Sequence, residues 1–176
     1  MIILYRGARG RGKTLSLVKD AKRFYNNKFT VYTNMSSLSF GKVVTCEYIL
    51  NLSRKSELKN CVLVIDEIEL FFDSRQFGNK ENKAFSGFLQ QIRKRNVHIL
   101  CTCQYIGLID IRIRQQLDFM GYPHFDKKTG FCKIYYFDLT RLEDDFNSKF
   151  KLKPTLCVFD GSGIFPLYDT NEMLDI

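Results

Sequence analysis

The first stretch that could do chemistry is GARGRGKT, residues 7–14, which follows a short apolar run at the start of the chain. Glycines let backbone amides turn inward around phosphate oxygens, and a helix that begins directly after such a loop adds the positive end of its dipole. In the pattern G-x4-G-K-[ST], the lysine reaches the β- and γ-phosphates and the hydroxyl binds Mg²⁺. The loop therefore predicts a nucleotide site. Its predicted binding residues are Gly7, Ala8, Arg9, Gly10, Arg11, Gly12, Lys13 and Thr14.

Two adjacent carboxylates follow the continuous apolar run CVLVI at 61–65. Such a run predicts a strand that is buried on both faces. Asp66 at its carboxyl end suits the acid that holds the Mg²⁺ coordination shell, so Asp66 and Thr14 are the predicted metal residues. Glu67, one residue further on, can orient and deprotonate an attacking water. The pair indicates hydrolysis rather than transfer to a bound acceptor.

Three more polar residues lie downstream of a second apolar run, HILCTC at 98–103. If that strand lies between the other two, the amide of Gln104 emerges beside the γ-phosphate, where it can sense the phosphate and position water. Arg112 and Arg114, in IDIRIRQQ, are candidates for an arginine that a subunit offers to its neighbour's γ-phosphate. Arg75 is a weaker candidate for that role. Whether Arg9 and Arg11 contact phosphate, a neighbour or solvent stays open.

The elements that must position these residues alternate between strands and helices. Apolar residues 85, 88, 89 and 92 have helical spacing, and the RKR at 93–95 suits the last turn of a helix. Alternation of this kind predicts an α/β fold with a largely parallel sheet. The predicted strands are 1–5, 29–33, 42–46, 61–66, 98–103, 120–122 and 131–138, the last two joined by a turn at 126–130 into a C-terminal hairpin. The predicted helices are 13–25, 47–53, 82–95 and 108–116.

Composition sets broader limits. The 176 residues and the absence of a linker-like tract predict one domain over 1–176. A net charge of +8, from 27 Lys and Arg against 19 Asp and Glu, fits either an anionic partner or simple solubility. No stretch is long enough for a membrane span, and the start does not resemble a signal peptide. The six cysteines include no CxxC pair, and Cys101 and Cys103 suit a strand interior better than a metal site. We therefore expect a cytosolic chain.

Four stretches in this order and spacing resemble one family: GARGRGKT, VLVIDEIELFFDSR, FLQQIRKRNVHILCTCQ and IDIRIRQQLD. They are similar to the FtsK–HerA superfamily of P-loop ATPases, in particular to genome-packaging ATPases of tailless, membrane-containing viruses and to Zot-like proteins of filamentous phages. The resemblance covers about residues 1–120, and FPLYDTNE near the end shows a weaker similarity. The loop is generic, whereas the combination of DE, SR, an RKR-ended helix, TxQ and an Arg-bearing helix is more specific.

The resemblance implies a RecA-like P-loop ATPase core that binds ATP and Mg²⁺, assembles as a homo-oligomeric ring of five or six subunits, and moves double-stranded DNA. It assigns catalytic roles to Glu67, Gln104 and either Arg112 or Arg114. Zot-like proteins typically continue into a membrane span, and this sequence ends at Ile176, which favours viral genome packaging over phage export. A packaging motor implies capsid or membrane-portal partners and a place in the host cytoplasm or at a capsid vertex.

Two other classes of function compete with the DNA motor. A small nucleotide kinase shares the length and the loop, but it needs an arginine-rich lid and has no use for Asp66, Glu67 and Gln104 together. A nucleotide-dependent scaffold or secretion factor would bind nucleotide without needing its catalytic residues, and DNA would not stimulate it.

Overall fold

Eight strands form one sheet in the order β3-β2-β4-β5-β1-β6-β7-β8. The computed structural model describes residues 1–45, 47–49, 51, 57–70, 85, 87–141 and 153–172. The strands are β1 (Ile2–Arg6), β2 (Thr30–Thr33), β3 (Lys42–Val43), β4 (Cys61–Ile65), β5 (Val97–Cys103), β6 (Phe119–Phe125), β7 (Phe131–Asp138) and β8 (Thr155–Asp160). The helices whose full bounds lie in the described residues are α1 (Lys13–Asn26) and α2 (Ile111–Arg114), with 3-10 turns at Ile68–Leu70, Ile106–Leu108, Leu139–Arg141 and Phe165–Leu167. Residues 47–49, 51, 85 and 87–89 are also helical.

The first six strands run parallel to one another, as the alternation of strands and helices predicts. β5 lies between β4 and β1, with Cys101 opposite both Ile65 and Leu4. Gln104 was predicted to lie beside the γ-phosphate if its strand lies between the other two. This condition is met, because β5, which precedes Gln104, lies between β1, which precedes the loop, and β4, which precedes Asp66. The carboxyl ends of parallel strands meet at one edge of the sheet, which brings the residues after β1, β4 and β5 together.

The C-terminal part of the sheet is antiparallel and one strand larger than predicted. The β6–β7 hairpin and its turn at 126–130 are confirmed, and Gly130 supplies the left-handed conformation with a φ of 75°. β8 then pairs with β7, with Cys157 opposite Ile134. β8 was not predicted, because its apolar run LCVF at 156–159 is short, and in the structure only Cys157 and Phe159 of this edge strand are partly buried.

Two apolar layers cover the sheet. α1 packs on one face through Leu15, Leu17, Val18 and Ala21, as predicted. On the other face the four predicted positions Phe85, Phe88, Leu89 and Ile92 are all at most 4% exposed. Burial of about ten such side chains against both faces supplies most of the driving force for folding. Cys101 and Cys103 belong to this second layer, where burial raises the pKa of both thiols.

Two predicted helices differ from the structure in length. Positions 85 and 87–89 are helical, but residues 90–96 form turns instead of continuing the helix to Arg95. Asn96, with a φ of 52°, ends this segment, because asparagine tolerates the left-handed conformation. The predicted helix 108–116 is divided: Asp110 accepts a hydrogen bond from the Arg112 amide at 2.9 Å and starts the shorter α2.

In the part of the chain that the structure describes, no helix combines the length and hydropathy that crossing a membrane requires.

Candidate nucleotide and metal site

The loop at residues 7–14 joins β1 to α1 at the carboxyl edge of the sheet. Gly10 and Gly12 have φ of 74° and 87°, which non-glycine residues rarely adopt. Gly12 is also required by space, because a Cβ there would lie 3.0 Å from Phe125 Cβ and 3.2 Å from Cys132 Sγ. The α1 helix starts at the next residue, so its first amides face the loop. Loop and helix together form an anion-binding concavity.

Lys13 lies inside this concavity and not in solvent. Its side chain is bent across the loop, and Nζ donates to the Ala8 carbonyl at 3.3 Å. The residue is only 8% exposed. A partly desolvated ammonium held by one carbonyl can exchange that contact for phosphate oxygens at little cost in side-chain ordering. Ala8, Arg9, Gly10 and Arg11 are exposed, and the Arg11 guanidinium lies 2.7 Å from His124 Nδ1 on β6.

Asp66 follows β4 and lies directly opposite the start of α1. Thr14 Oγ1 donates to its carboxylate at 3.1 and 3.3 Å, and the Thr102 hydroxyl donates to Oδ1. Burial raises the pKa of Asp66, and the hydrogen bonds from Thr102 and Thr14 partly offset that rise. A partly desolvated carboxylate beside a hydroxyl favours a hard cation. These oxygen donors fit Mg²⁺, which takes few protein ligands and completes its shell with phosphates and waters.

Glu67 has a backbone conformation that is unusual for its residue type. Its φ is 51°, in the left-handed region, which costs roughly 1–3 kcal/mol for a residue with a side chain. The Thr102 hydroxyl accepts a 2.8 Å hydrogen bond from the Glu67 amide and so supports this conformation. Thr102 thus contacts both members of the acidic pair. The left-handed turn separates the direction of the Glu67 side chain from that of Asp66.

Asn34 fixes the backbone of Asp66 from the neighbouring strand. Its side-chain amide donates to the Asp66 carbonyl at 2.9 Å, and its Oδ1 accepts from the Asp66 amide at 2.9 Å. Asn34 directly follows β2, which pairs with β4 in parallel. The side chain therefore continues the β2–β4 hydrogen bonding beyond the end of the strand, where a backbone ladder can no longer do so.

Gln104 reaches Glu67 on the same edge of the sheet. Gln104 Nε2 donates to Glu67 Oε1 at 3.4 Å, and its backbone amide donates to Glu69 Oε1 at 2.9 Å. Burial raises the pKa of Glu69, partly offset by that hydrogen bond. The structure thus brings Lys13, Thr14, Asp66, Glu67 and Gln104 to one site.

The two candidate arginines on α2 have different surroundings. The Arg112 guanidinium forms a two-pronged salt bridge with Asp110, which is fully buried. Arg114 makes no salt bridge among the described residues, and its buried Nε has no hydrogen-bond partner there. Neither arginine hydrogen-bonds to the acidic pair in this single chain. Arg75, the weaker candidate, lies outside the described residues.

A cavity of about 510 Å³ opens over this site. One side consists of loop and α1 residues, together with Asp66. The other side consists of Phe125 and Lys127 from the β6–β7 hairpin, of Phe165 and of residues 168–172. A cavity of this volume is in the range of small-ligand and cofactor sites.

Several residues of the site were not predicted from the sequence. Asn34 and Glu69 carry no motif, and their roles depend on which strands are neighbours. Thr102 belongs to the TxQ pattern but was given no function. Residues 165–172 are the FPLYDTNE stretch with the weaker family similarity, and only the fold shows that they lie next to the loop.

Comparison with protein families gives one match. The model described as zonular occludens toxin (Zot) matches residues 42–169 of this chain, which is more than half of it. No curated protein matches the sequence.

Three solved structures share the fold over most of their length. The N-terminal domain of zonular occludens toxin from Neisseria meningitidis has a TM-score of 0.67 at 19% identity, covering 96% of this chain and 98% of that one. B204, the DNA-packaging ATPase from Sulfolobus turreted icosahedral virus, has 0.62 at 14%, covering 89% and 95%. The genome-packaging NTPase B204 from Sulfolobus turreted icosahedral virus 2, in complex with ATP-gammaS, has 0.59 at 12%, also covering 89% and 95%. At these identities the likeness shows the fold, which is that of RecA-like P-loop ATPases.

Proposed function

This chain belongs to the zonular occludens toxin (Zot) family, and from that premise we propose that it is an ATP-hydrolysing motor that translocates double-stranded DNA, as in viral genome packaging. The family and fold support a P-loop ATPase of the Zot and packaging-ATPase type. The hydrolytic step, the DNA substrate and the viral setting are the parts that we propose.

The observation that carries the ATPase proposal is the pair of adjacent carboxylates at the sheet edge next to the phosphate-binding loop. Asp66 lies within hydrogen-bond distance of Thr14, and Glu67 lies within hydrogen-bond distance of Gln104. A phosphate in the loop would then have a metal-binding acid on one side and a base with a water-positioning amide on the other. This arrangement serves hydrolysis, since a kinase acceptor pocket would place a substrate hydroxyl where Glu67 and Gln104 meet.

In the proposed reaction, the amides of residues 7–14 and Lys13 would hold the β- and γ-phosphates, and Thr14 and Asp66 would hold Mg²⁺. The ion, when bound, neutralises charge on the phosphate oxygens. Glu67 accepts a proton from the water that attacks the γ-phosphorus, Gln104 orients that water, and the bond from the γ-phosphorus to the β-phosphate oxygen breaks to release ADP. The left-handed backbone at Glu67 keeps the base aimed away from the metal side.

DNA as the cargo is supported by charge. The net charge of +8 is multiplied in a ring, and a motor must hold DNA by its phosphates because it cannot choose the sequence. One candidate contact is the basic segment 125–131, whose residues 126–129 are exposed and include Lys127 and Lys128. The other candidate, 52–60, lies partly outside the described residues.

The ATPase rate of the purified chain, with and without double-stranded DNA, tests this proposal if the oligomeric state is measured alongside. We expect DNA of unrelated sequences to stimulate hydrolysis by an assembled ring, and the stimulation to fall steeply with salt through loss of counterion release. A DNA-independent rate would contradict translocation. Nucleotide binding without any hydrolysis would indicate a scaffold.

A second candidate is an ATPase for phage assembly or export, which the Zot family match and the likeness to the Neisseria meningitidis domain favour. It shares the nucleotide site and differs in its partners: a membrane portal instead of a capsid. Crosslinking of the chain in infected cells, followed by identification of the attached protein, distinguishes a capsid-vertex location from a membrane location.

A further inference from the structure

The cavity over the loop has an aromatic side that the proposed reaction does not use. Phe125 at the end of β6 and Phe165 both line it, with ring centroids 5.4 Å apart and planes at 73°. Phe165 is 37% exposed although it borders a concave site. Partly exposed aromatic rings at a cavity mouth offer π faces to a flat ligand.

These rings lie close to the first turn of α1. A nucleotide with its phosphates at residues 10–14 would project its sugar and base past that turn. Leu15 lines the cavity at that turn. A Cβ added to Gly161 would meet Leu15 Cδ2 at 3.2 Å and Phe165 Cε2 at 3.1 Å, so Phe165 and the first turn of α1 approach the same point.

The segment that carries Phe165, which we call the C-terminal strap (residues 164–172), is fastened at both ends. At its start, the Ile164 and Phe165 amides donate to the Gly161 carbonyl at 2.9 and 3.1 Å. At its end, the Glu172 carboxylate accepts hydrogen bonds from the backbone amide and the hydroxyl of both Ser36 and Ser37.

Between these ends, the strap is tied to the same loop after β2. The Ser39 amide donates to the Leu167 carbonyl at 3.0 Å, and the Asp169 amide donates to Ser37 Oγ at 3.0 Å. Tyr168 is 9% exposed and packs into the α1 layer of the core. Because the C-terminal strap is already held in place by these contacts, it loses little conformational entropy when a ligand binds against it.

We propose that Phe125, Phe165 and the C-terminal strap form the nucleobase subsite, which takes the base of a nucleoside triphosphate by stacking. The inference rests on the proposed function in one respect: it requires the phosphates to bind in the loop. Lys13 and the loop amides hold the triphosphate, and the aromatic side holds the base. Affinity for the whole nucleotide therefore depends on two contacts that can be changed separately: the triphosphate with the loop and the base with the aromatic side.

The test compares a ligand that has a base with one that has none. Isothermal titration in Mg²⁺ measures binding of the non-hydrolysable ATP analogue AMPPNP and of inorganic tripolyphosphate. Stacking of a base on an aromatic side chain is lost on alanine substitution, so we expect Phe165→Ala to weaken AMPPNP binding about tenfold. Tripolyphosphate affinity should stay unchanged, and Phe165→Tyr, which keeps the ring, should bind AMPPNP like the unmodified chain.

Phe131→Ala is the matched control, because Phe131 is an exposed phenylalanine on β7 that does not line this cavity. Glu172→Gln, which removes the charge that the two serines bind, should also weaken AMPPNP more than tripolyphosphate. Equal AMPPNP affinity of Phe165→Ala and the unmodified chain would overturn the subsite alone. Equal weakening of both ligands would overturn it too, since the ring would then support the loop. Failure of the unmodified chain to bind either ligand would overturn the proposed function and the subsite with it.

Discussion

At the scale of single residues, Asp66 and Glu67 face different partners although they are neighbours in the chain. Asp66 contacts the hydroxyls of Thr14 and Thr102, whereas Glu67 contacts Gln104. The left-handed φ of Glu67 makes this possible, because an extended backbone would carry the chain past the site. In the proposed reaction, one carboxylate binds the cation and the other activates the water molecule.

We expect Glu67→Gln to bind ATP and Mg²⁺ normally while hydrolysis falls about a hundredfold or more, since only the base is neutralised. Lys13→Ala should instead lose nucleotide binding. Titration and phosphate release measure the two effects. Glu57→Gln, at an exposed glutamate, is the control and should behave like the unmodified chain. Hydrolysis by Glu67→Gln at the unmodified rate would exclude Glu67 as the base.

Glu69 is expected to act on hydrolysis through Gln104. Its Oε1 accepts from the Gln104 amide at 2.9 Å and fixes the residue that holds Glu67. Glu69→Ala should therefore lower kcat severalfold and leave KM for ATP unchanged, whereas Glu69→Gln keeps an acceptor oxygen and should retain most activity. Steady-state kinetics distinguish the two variants. Equal loss of kcat in both would mean that the charge of Glu69, and not its hydrogen bond, matters.

At the scale of elements, a buried polar cluster joins α1 to the sheet. The hydroxyls of Tyr5 on β1 and Tyr136 on β7 both donate to Asp20 Oδ2, and Lys19 donates to Oδ1 at 2.8 Å. The cluster ties the helix behind the loop to strands on the parallel and antiparallel parts of the sheet. Burial, followed by the charge of Asp20, raises the pKa of both tyrosines.

This cluster predicts a loss of stability in alkali. In the unfolded chain, the hydroxyls of Tyr5 and Tyr136 lose their protons at about pH 10, whereas in the folded chain they keep them to higher pH. The contribution is therefore fully present below about pH 10 and falls as pH rises beyond it. Tyr5→Phe should lower the free energy of unfolding by about 2 kcal/mol at neutral pH, through loss of a hydrogen bond to a charged group, and should make the alkaline decline shallower. Denaturant unfolding between neutral and alkaline pH measures both effects. Tyr135→Phe, at an exposed tyrosine, should change neither.

The elements also show what could be predicted from the sequence. The parallel strands are predicted by their apolar runs. The start of α1 is predicted by the loop at 7–14, whose residue types are typical of phosphate binding. β8 was missed because its apolar run is only four residues long and does not match the alternating burial that an edge strand has. Asn34 and Glu69 were missed for another reason: each acts on a residue more than thirty positions away, and only the strand order brings them together.

At the scale of the whole molecule, no lysine or arginine among the described residues forms a salt bridge with Asp66 or Glu67 in one chain. The two arginines on α2 were predicted to act on a neighbouring subunit. Arg112 is committed to the buried Asp110, so its removal would also take a salt bridge away from a buried carboxylate. Arg114 has no such partner among the described residues. It is therefore the better residue with which to test action between subunits.

We expect Arg114→Ala to assemble and bind ATP but to hydrolyse it poorly, because charge that develops on the γ-phosphate would lose its stabilising cation. Mixing it with Glu67→Gln should restore part of the activity. At a mixed interface, the intact Arg114 of the Glu67→Gln subunit meets the intact Glu67 of its neighbour, a combination that neither variant forms alone. Phosphate release across a series of mixing ratios, with assembly followed by light scattering, measures the rescue. Arg23→Ala, at an exposed arginine in the last turn of α1, is the control and should need no rescue. Mixed rings that remain inactive at every ratio would show that Arg114 serves its own subunit or none.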